Sequence, residues 1–152
     1  MDAKQGTSLR QKKGKVEGFT LIELMIVLAI LSVIVGIAIP AYQDFTVRAK
    51  VAEGMNIATS AKNAVVETLH SLGNIPNQNS TGFEFNGSRY VQSVTIAANT
   101  GIIQITTRDT GAPISPILIL TPDLTNTRGS LRWRCSLTAG ETRHVPSECR
   151  GP

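Results

Sequence analysis

From residue 19 to residue 41 the chain is almost uninterruptedly apolar, with Leu, Ile, Met, Val and Ala dominating and only Thr20, Glu23, Ser32, Gly36 and Pro40 breaking the run. About 20 such residues suffice to cross a bilayer, and in lipid a helix satisfies its own backbone. Ser32 can return its hydroxyl to the preceding turn. Pro40 removes the hydrogen bond to residue 36, where Gly36 is flexible, so a kink or a locally melted turn is expected there. From Tyr42 the period changes. Val47, Val51, Met55, Ala58, Ala61, Val65, Leu69 and Leu72 recur at spacings of three and four, while Asp44, Arg48, Lys50, Glu53, Lys62, Asn63 and Glu67 fall mainly elsewhere. That is a helix laying one stripe on a globular body. Gly73-Asn74-Ile75-Pro76 ends it. The two halves make one helix of about 50 residues, roughly 80 Å long at 1.5 Å per residue. A chain of 152 residues cannot bury that length, so the first half requires lipid or other copies of the chain around it.

Residues 74–88 are rich in Asn, Ser, Gly and Pro and read as a loop. Strand signals follow. Tyr90 to Ala98 alternates, with Val94, Ile96 and Ala98 on one face; Asn99-Thr100-Gly101 turns the chain; Ile103, Ile105 and Thr107 form the next face. Ile117 to Leu120, between Pro116 and Pro122, is a third and more buried strand, and Leu131, Trp133, Cys135 and Leu137 alternate with Arg132, Arg134 and Ser136 in a fourth. The predicted fold is α+β: a long N-terminal helical spine packed against a four-stranded antiparallel sheet. Residues 138–152 read as a polar tail.

Charge adds a direction. The formal net charge is +4, and residues 1–18 carry most of it, with Lys4, Arg10, Lys12, Lys13 and Lys15 against Asp2 and Glu17. Positive charge just ahead of a span keeps that end cytoplasmic. Residues 1–18 then form a basic leader, 19–41 a transmembrane helix, and 42–152 a head outside the cytoplasm. An ordinary secretory signal has a shorter apolar core and a small-residue exit, and accounts for neither Glu23 nor Gly18-Phe19. A carboxylate in hydrocarbon is costly, so Glu23 should have a partner and a function. An oxidising compartment favours a disulfide between Cys135 and Cys149 over two free buried thiols. Closing a loop of about 15 residues would contribute on the order of 3 kcal/mol and pin the tail to the last strand.

Catalytic chemistry is poorly represented. The two histidines, His70 and His144, are far apart in sequence, and there is no Cys-x-x-Cys, phosphate loop or His-Glu-x-x-His. An enzyme is not expected, and neither cofactor nor metal is implied. Arg128, Arg132, Arg134, Arg143 and Arg150 gather in the last strand and tail against Glu141 and Glu148. They could engage DNA, polyanionic surfaces or acidic receptors; a solvated strand face with salt bridges between subunits is the preferred, plainer reading. Trp133 alternates inward with Leu131, which favours core over ligand stacking. Asn79-Ser80-Thr81 and Asn86-Gly87-Ser88 match a short and common glycosylation pattern. Tyr42 and Phe45 near the bend could sit in a filament core.

These features together resemble the type IV pilins, and more closely the type IVa pilin precursors. A basic leader ends in Gly18, Phe19-Thr20-Leu21-Ile22-Glu23-Leu24-Met25-Ile26-Val27 follows at once, Pro40-Ala41-Tyr42 sits at the bend, and a C-terminal cysteine pair ends in Pro146-Ser147-Glu148-Cys149-Arg150. A leader of 18 residues is longer than the type IVa pattern. The resemblance implies that a prepilin peptidase cuts between Gly18 and Phe19, that the new Phe19 amine is methylated, and that Glu23 neutralises that amine on a neighbouring copy. It implies a precursor held in the bacterial inner membrane with its N-terminus cytoplasmic, then a homo-oligomeric helical filament on the cell surface, built by the pilus assembly machinery and serving adhesion, twitching motility or DNA uptake. A type II secretion pseudopilin is an alternative that the cysteine pair argues against. A minor pilin binding DNA or a host receptor through its Arg-rich tail is another.

Overall fold

The computed structural model describes residues 18–74, 77–125 and 131–151. Its backbone contacts divide the chain into two units, one ending at Ile37 and one beginning at Ala38. Helix α1 (Leu21–Leu72) runs 52 residues without interruption, through Pro40 as well. Gly73 ends it in the left-handed conformation (φ +67), its N–H donating to Leu69 O at 3.0 Å, a turn for which glycine carries no Cβ penalty.

Within the second unit the sheet has four strands, β1 (Val91–Ile96), β2 (Ile103–Thr107), β3 (Ile117–Asp123) and β4 (Arg132–Ala139). They pair antiparallel in sequence order. The register lines Val94, Ile105 and Leu118 across the sheet, and Ile96, Ile103, Leu120 and Cys135 in the next row. These rows, with Val47, Val51, Ala58, Ala61 and Val65 of α1, form the core.

The helix stripe differs from the predicted one at four residues. Gly54 and Thr68 are buried, whereas Leu72 is exposed and Met55 only half-buried. A Cβ on Gly54 would lie 2.8 Å from Ile105 Cγ2, so the helix reaches the sheet there because residue 54 has no side chain. Thr68 tolerates burial by donating to Ala64 O at 2.7 Å.

Two strand boundaries also differ. β1 stops at Ile96 and Ala98 is exposed in the following turn; an irregularity between Val91 and Ser93 brings Val91 onto the buried face. β3 continues through Pro122, which is itself buried. The β2–β3 ladder ends at Leu120, so β3 is an edge on that side at Pro122, where a missing N–H costs no ladder bond.

The expected polar tail is instead two 3-10 turns, Thr142–His144 and Ser147–Cys149, with Val145 and Cys149 fully buried. The disulfide and a contact from His144 to the helix hold them down. Within 77–88, Gln78 fixes the loop to the sheet: its amide donates to Phe83 O at 2.8 Å and its carbonyl accepts Ile96 N–H at 2.7 Å.

Candidate assembly elements and surface sites

The N-terminal element is built around one hydrogen-bonded box. Thr20 precedes α1, and its N–H (2.9 Å) and hydroxyl (2.8 Å) both donate to Glu23 Oε2, while Glu23 N–H donates to Thr20 Oγ1 at 3.3 Å. Thr-x-x-Glu reciprocally satisfies backbone donors that the first helical turn leaves without partners. This role of Glu23 was readable from the spacing Thr20-Leu21-Ile22-Glu23 and is masked by the apolar run that surrounds it. Phe19 is 94% exposed just ahead of the box. An added Cβ on Gly18 or on Gly36 meets nothing within 4 Å among the described residues.

Every residue from Thr20 to Tyr42 is exposed. The helix is long and apolar enough here to cross a membrane, and none of the apolar window is buried. Ser32 Oγ donates to Ala29 O at 2.8 Å, which internalises the one hydroxyl in mid-span.

The C-terminal stretch is clasped onto the start of the amphipathic half. His144 is buried, and its Nε2 donates to Asp44 Oδ1 at 3.1 Å; its Nδ1 has no partner among the described residues. Arg48 donates through two guanidinium nitrogens to Arg143 O, at 2.8 and 3.2 Å. Arg143 pairs with Glu141 and stands 3.8 Å from Asp44. The hydrogen bond to Glu141, and then the charge of Asp44, raise its pKa further. Sequence reasoning assigned His144 no role, because its partner lies 100 residues away. The disulfide joins Cys135 on β4 to Cys149, with 4.6 Å between Cα atoms.

Four of the five arginines lie among the described residues and differ in how they are engaged. Arg128 lies outside the described residues. Arg143 is taken by the clasp, and Arg150 Nε donates to Val145 O at 3.2 Å. Arg132 and Arg134 are exposed on β4. They border a cleft of about 510 Å3 that also involves Lys62, Trp133, Asp123 and Glu148. Asp123 is already engaged: Thr125 donates to it from N–H (3.1 Å) and hydroxyl (2.7 Å), holding its carboxyl below the ordinary range. Trp133 is half-buried against the core, as its inward alternation predicts, with Lys62 Nζ 5.9 Å from its ring. Asn79 and Asn86 are both exposed. No cluster of metal-ligating side chains occurs among the described residues.

Comparison with known proteins adds the following. The profile of the family Pilin (bacterial filament) matches residues 47–150, and that of the prokaryotic N-terminal methylation motif matches residues 13–39. The chain is 39% identical to a fimbrial protein of Eikenella corrodens, over 88% of this chain and 90% of that protein. It is 33% identical to a type IV major pilin protein of Neisseria gonorrhoeae, over 88% of this chain and 73% of that protein. It is 32% identical to a probable minor fimbrial protein of Dichelobacter nodosus, over 90% of this chain and 96% of that protein.

Proposed function

This chain belongs to the pilin family of bacterial filament proteins, a structural and non-enzymatic class, and on that premise we propose that it is a type IVa pilus subunit stored in the inner membrane and polymerised through residues 19–41. Residues 1–18 are a cytoplasmic leader. A prepilin peptidase removes it between Gly18 and Phe19, and the Phe19 amine is then methylated. The match of residues 13–39 to the prokaryotic N-terminal methylation motif supports this. In the filament the apolar surface that lipid covers in the precursor is covered by the helices of other copies.

The observation that carries the reading is the unbroken helix with wholly exposed residues 20–42, which continues directly into the stripe buried by the sheet. Glu23 has two duties. In one chain it caps the helix with Thr20. In the filament it neutralises the Phe19 amine of a neighbour, and a mis-set copy leaves both charges unpaired, which makes the contact a register device. Gly36 and Pro40 are where the helix loosens during assembly. The filament serves adhesion, twitching motility or DNA uptake. A minor subunit is the second reading, favoured by the likeness to a probable minor fimbrial protein, with Arg132 and Arg134 as its surface for DNA or an acidic receptor.

Substituting Glu23 tests the assembly role. Glu23→Ala should leave membrane insertion intact and sharply reduce the yield of sheared filaments; a normal yield would remove the register role. The fraction of this chain in those filaments separates a major subunit from a minor one.

A further inference from the structure

Beyond Ala41, the large hydrophobic residues left exposed among the described residues are Tyr42 at 70%, Phe45 at 66%, Leu72 at 59% and Ile114 at 60%. Three of these four lie at one end of the head. In an antiparallel meander successive connections alternate ends, so the β2–β3 loop lies opposite the β1–β2 turn. The β2–β3 loop is tied to the start of the amphipathic helix: Lys50 Nζ donates to Thr110 O at 3.0 Å, and a Cβ built on Gly111 lies 3.8 Å from Val47 Cγ2. Ile114 follows three residues later on the same loop, its side chain turned to solvent.

We infer that this end of the head is a membrane-docking collar, with Tyr42, Phe45 and Ile114 seated at headgroup depth on the outer face of the bilayer while the precursor waits for assembly. The inference rests on the reading of residues 19–41 as a membrane span. A span of Leu21–Ala41 matches a hydrocarbon core of about 30 Å, so Tyr42 and Phe45 emerge within roughly 6 Å of its edge. Aromatic side chains with one polar end favour that level. Val47, beside Gly111, follows at roughly 9 Å. The chemistry is apolar insertion of two rings and one branched aliphatic side chain. Continuity with the span selects lipid as the occupant, because these residues lie beside the point where the helix leaves it.

The test uses the full-length, disulfide-oxidised chain in vesicles of phosphatidylethanolamine and phosphatidylglycerol. Single nitroxide labels are placed on Ile114→Cys, Thr100→Cys at the opposite end, and Leu28→Cys within the span. Accessibility to oxygen and to a water-soluble nickel complex is read by spin resonance. The expected result is nickel access at residue 114 several-fold below that at residue 100, with residue 28 fully protected from nickel. Equal access at 114 and 100 with residue 28 protected would overturn the collar and leave the membrane span standing. Nickel access at residue 28 would overturn the span and the collar with it. Protection at 114 that appears only with spin–spin broadening and is lost on dilution of the chain in lipid would assign the surface to another copy of the chain, and would also overturn lipid docking.

Discussion

At the residue scale, Glu23 caps its own helix, and the proposed filament contact would make a second demand on the same carboxylate. Its carboxylate completes a capping box with Thr20, a local pattern in which Gln can replace Glu. Charge and capping can therefore be separated. Glu23→Gln should keep the first turn protected in amide hydrogen exchange and still assemble poorly, because it cannot neutralise an amine; filaments at normal yield from the Gln variant would show that the cap is the whole of the role. Asp123 offers a second test. Thr125 stabilises its charged form, so the folded pKa lies below the 3.8 of an unperturbed Asp. A depressed folded pKa contributes stability above the unfolded value and loses it as pH falls through the folded one, so any effect is confined to pH below about 4. Thr125→Val, which keeps the N–H and removes the hydroxyl, should move the NMR titration of Asp123 upward towards 3.8; an unchanged midpoint would contradict the assigned cause.

At the scale of elements, the periodicity of residues 47–69 predicted the buried face of α1 well, because a 3.6-residue repeat is a local property. It missed Gly54, since a residue buried for its lack of a side chain leaves no hydrophobic mark. Gly54→Val should overpack the contact with Ile105 and cost about 1–3 kcal/mol in urea unfolding of the detergent-solubilised chain; an unchanged midpoint would mean that helix and sheet can separate there without cost. The strand faces of β2 and β4 were legible from alternation alone. β3 past Leu120 was not, because whether a proline ends a strand depends on what pairs beside it. The tail was least legible: its order comes from Asp44 and Cys135, both distant in sequence. Opening the disulfide should cost about 3 kcal/mol for a loop of this size, seen as a lowered urea midpoint of Cys135→Ser/Cys149→Ser relative to the oxidised chain. An unaltered midpoint would show that the buried Val145 and the His144–Asp44 contact hold the tail unaided.

For the whole molecule, composition, leader charge and the apolar run already framed a membrane-held subunit, because each depends on how much of a residue type is present and in what order. The proposed chemistry of assembly is less visible, since it would depend on a neighbour's Phe19 amine and on surfaces that only a second copy completes. Among the described arginines, sequence proximity does not show the partners: Arg143 pairs with Glu141 and stands near Asp44, while Arg132 and Arg134 are exposed on β4. Residues 19–41 are proposed as a polymerisation element released by cleavage after Gly18. Intact-mass measurement of subunits sheared from the cell surface tests it most directly. The expected species is a chain running from Phe19 with one added methyl group and two hydrogens fewer than its reduced form. Surface filaments whose subunits retain Met1 and the basic leader would contradict it.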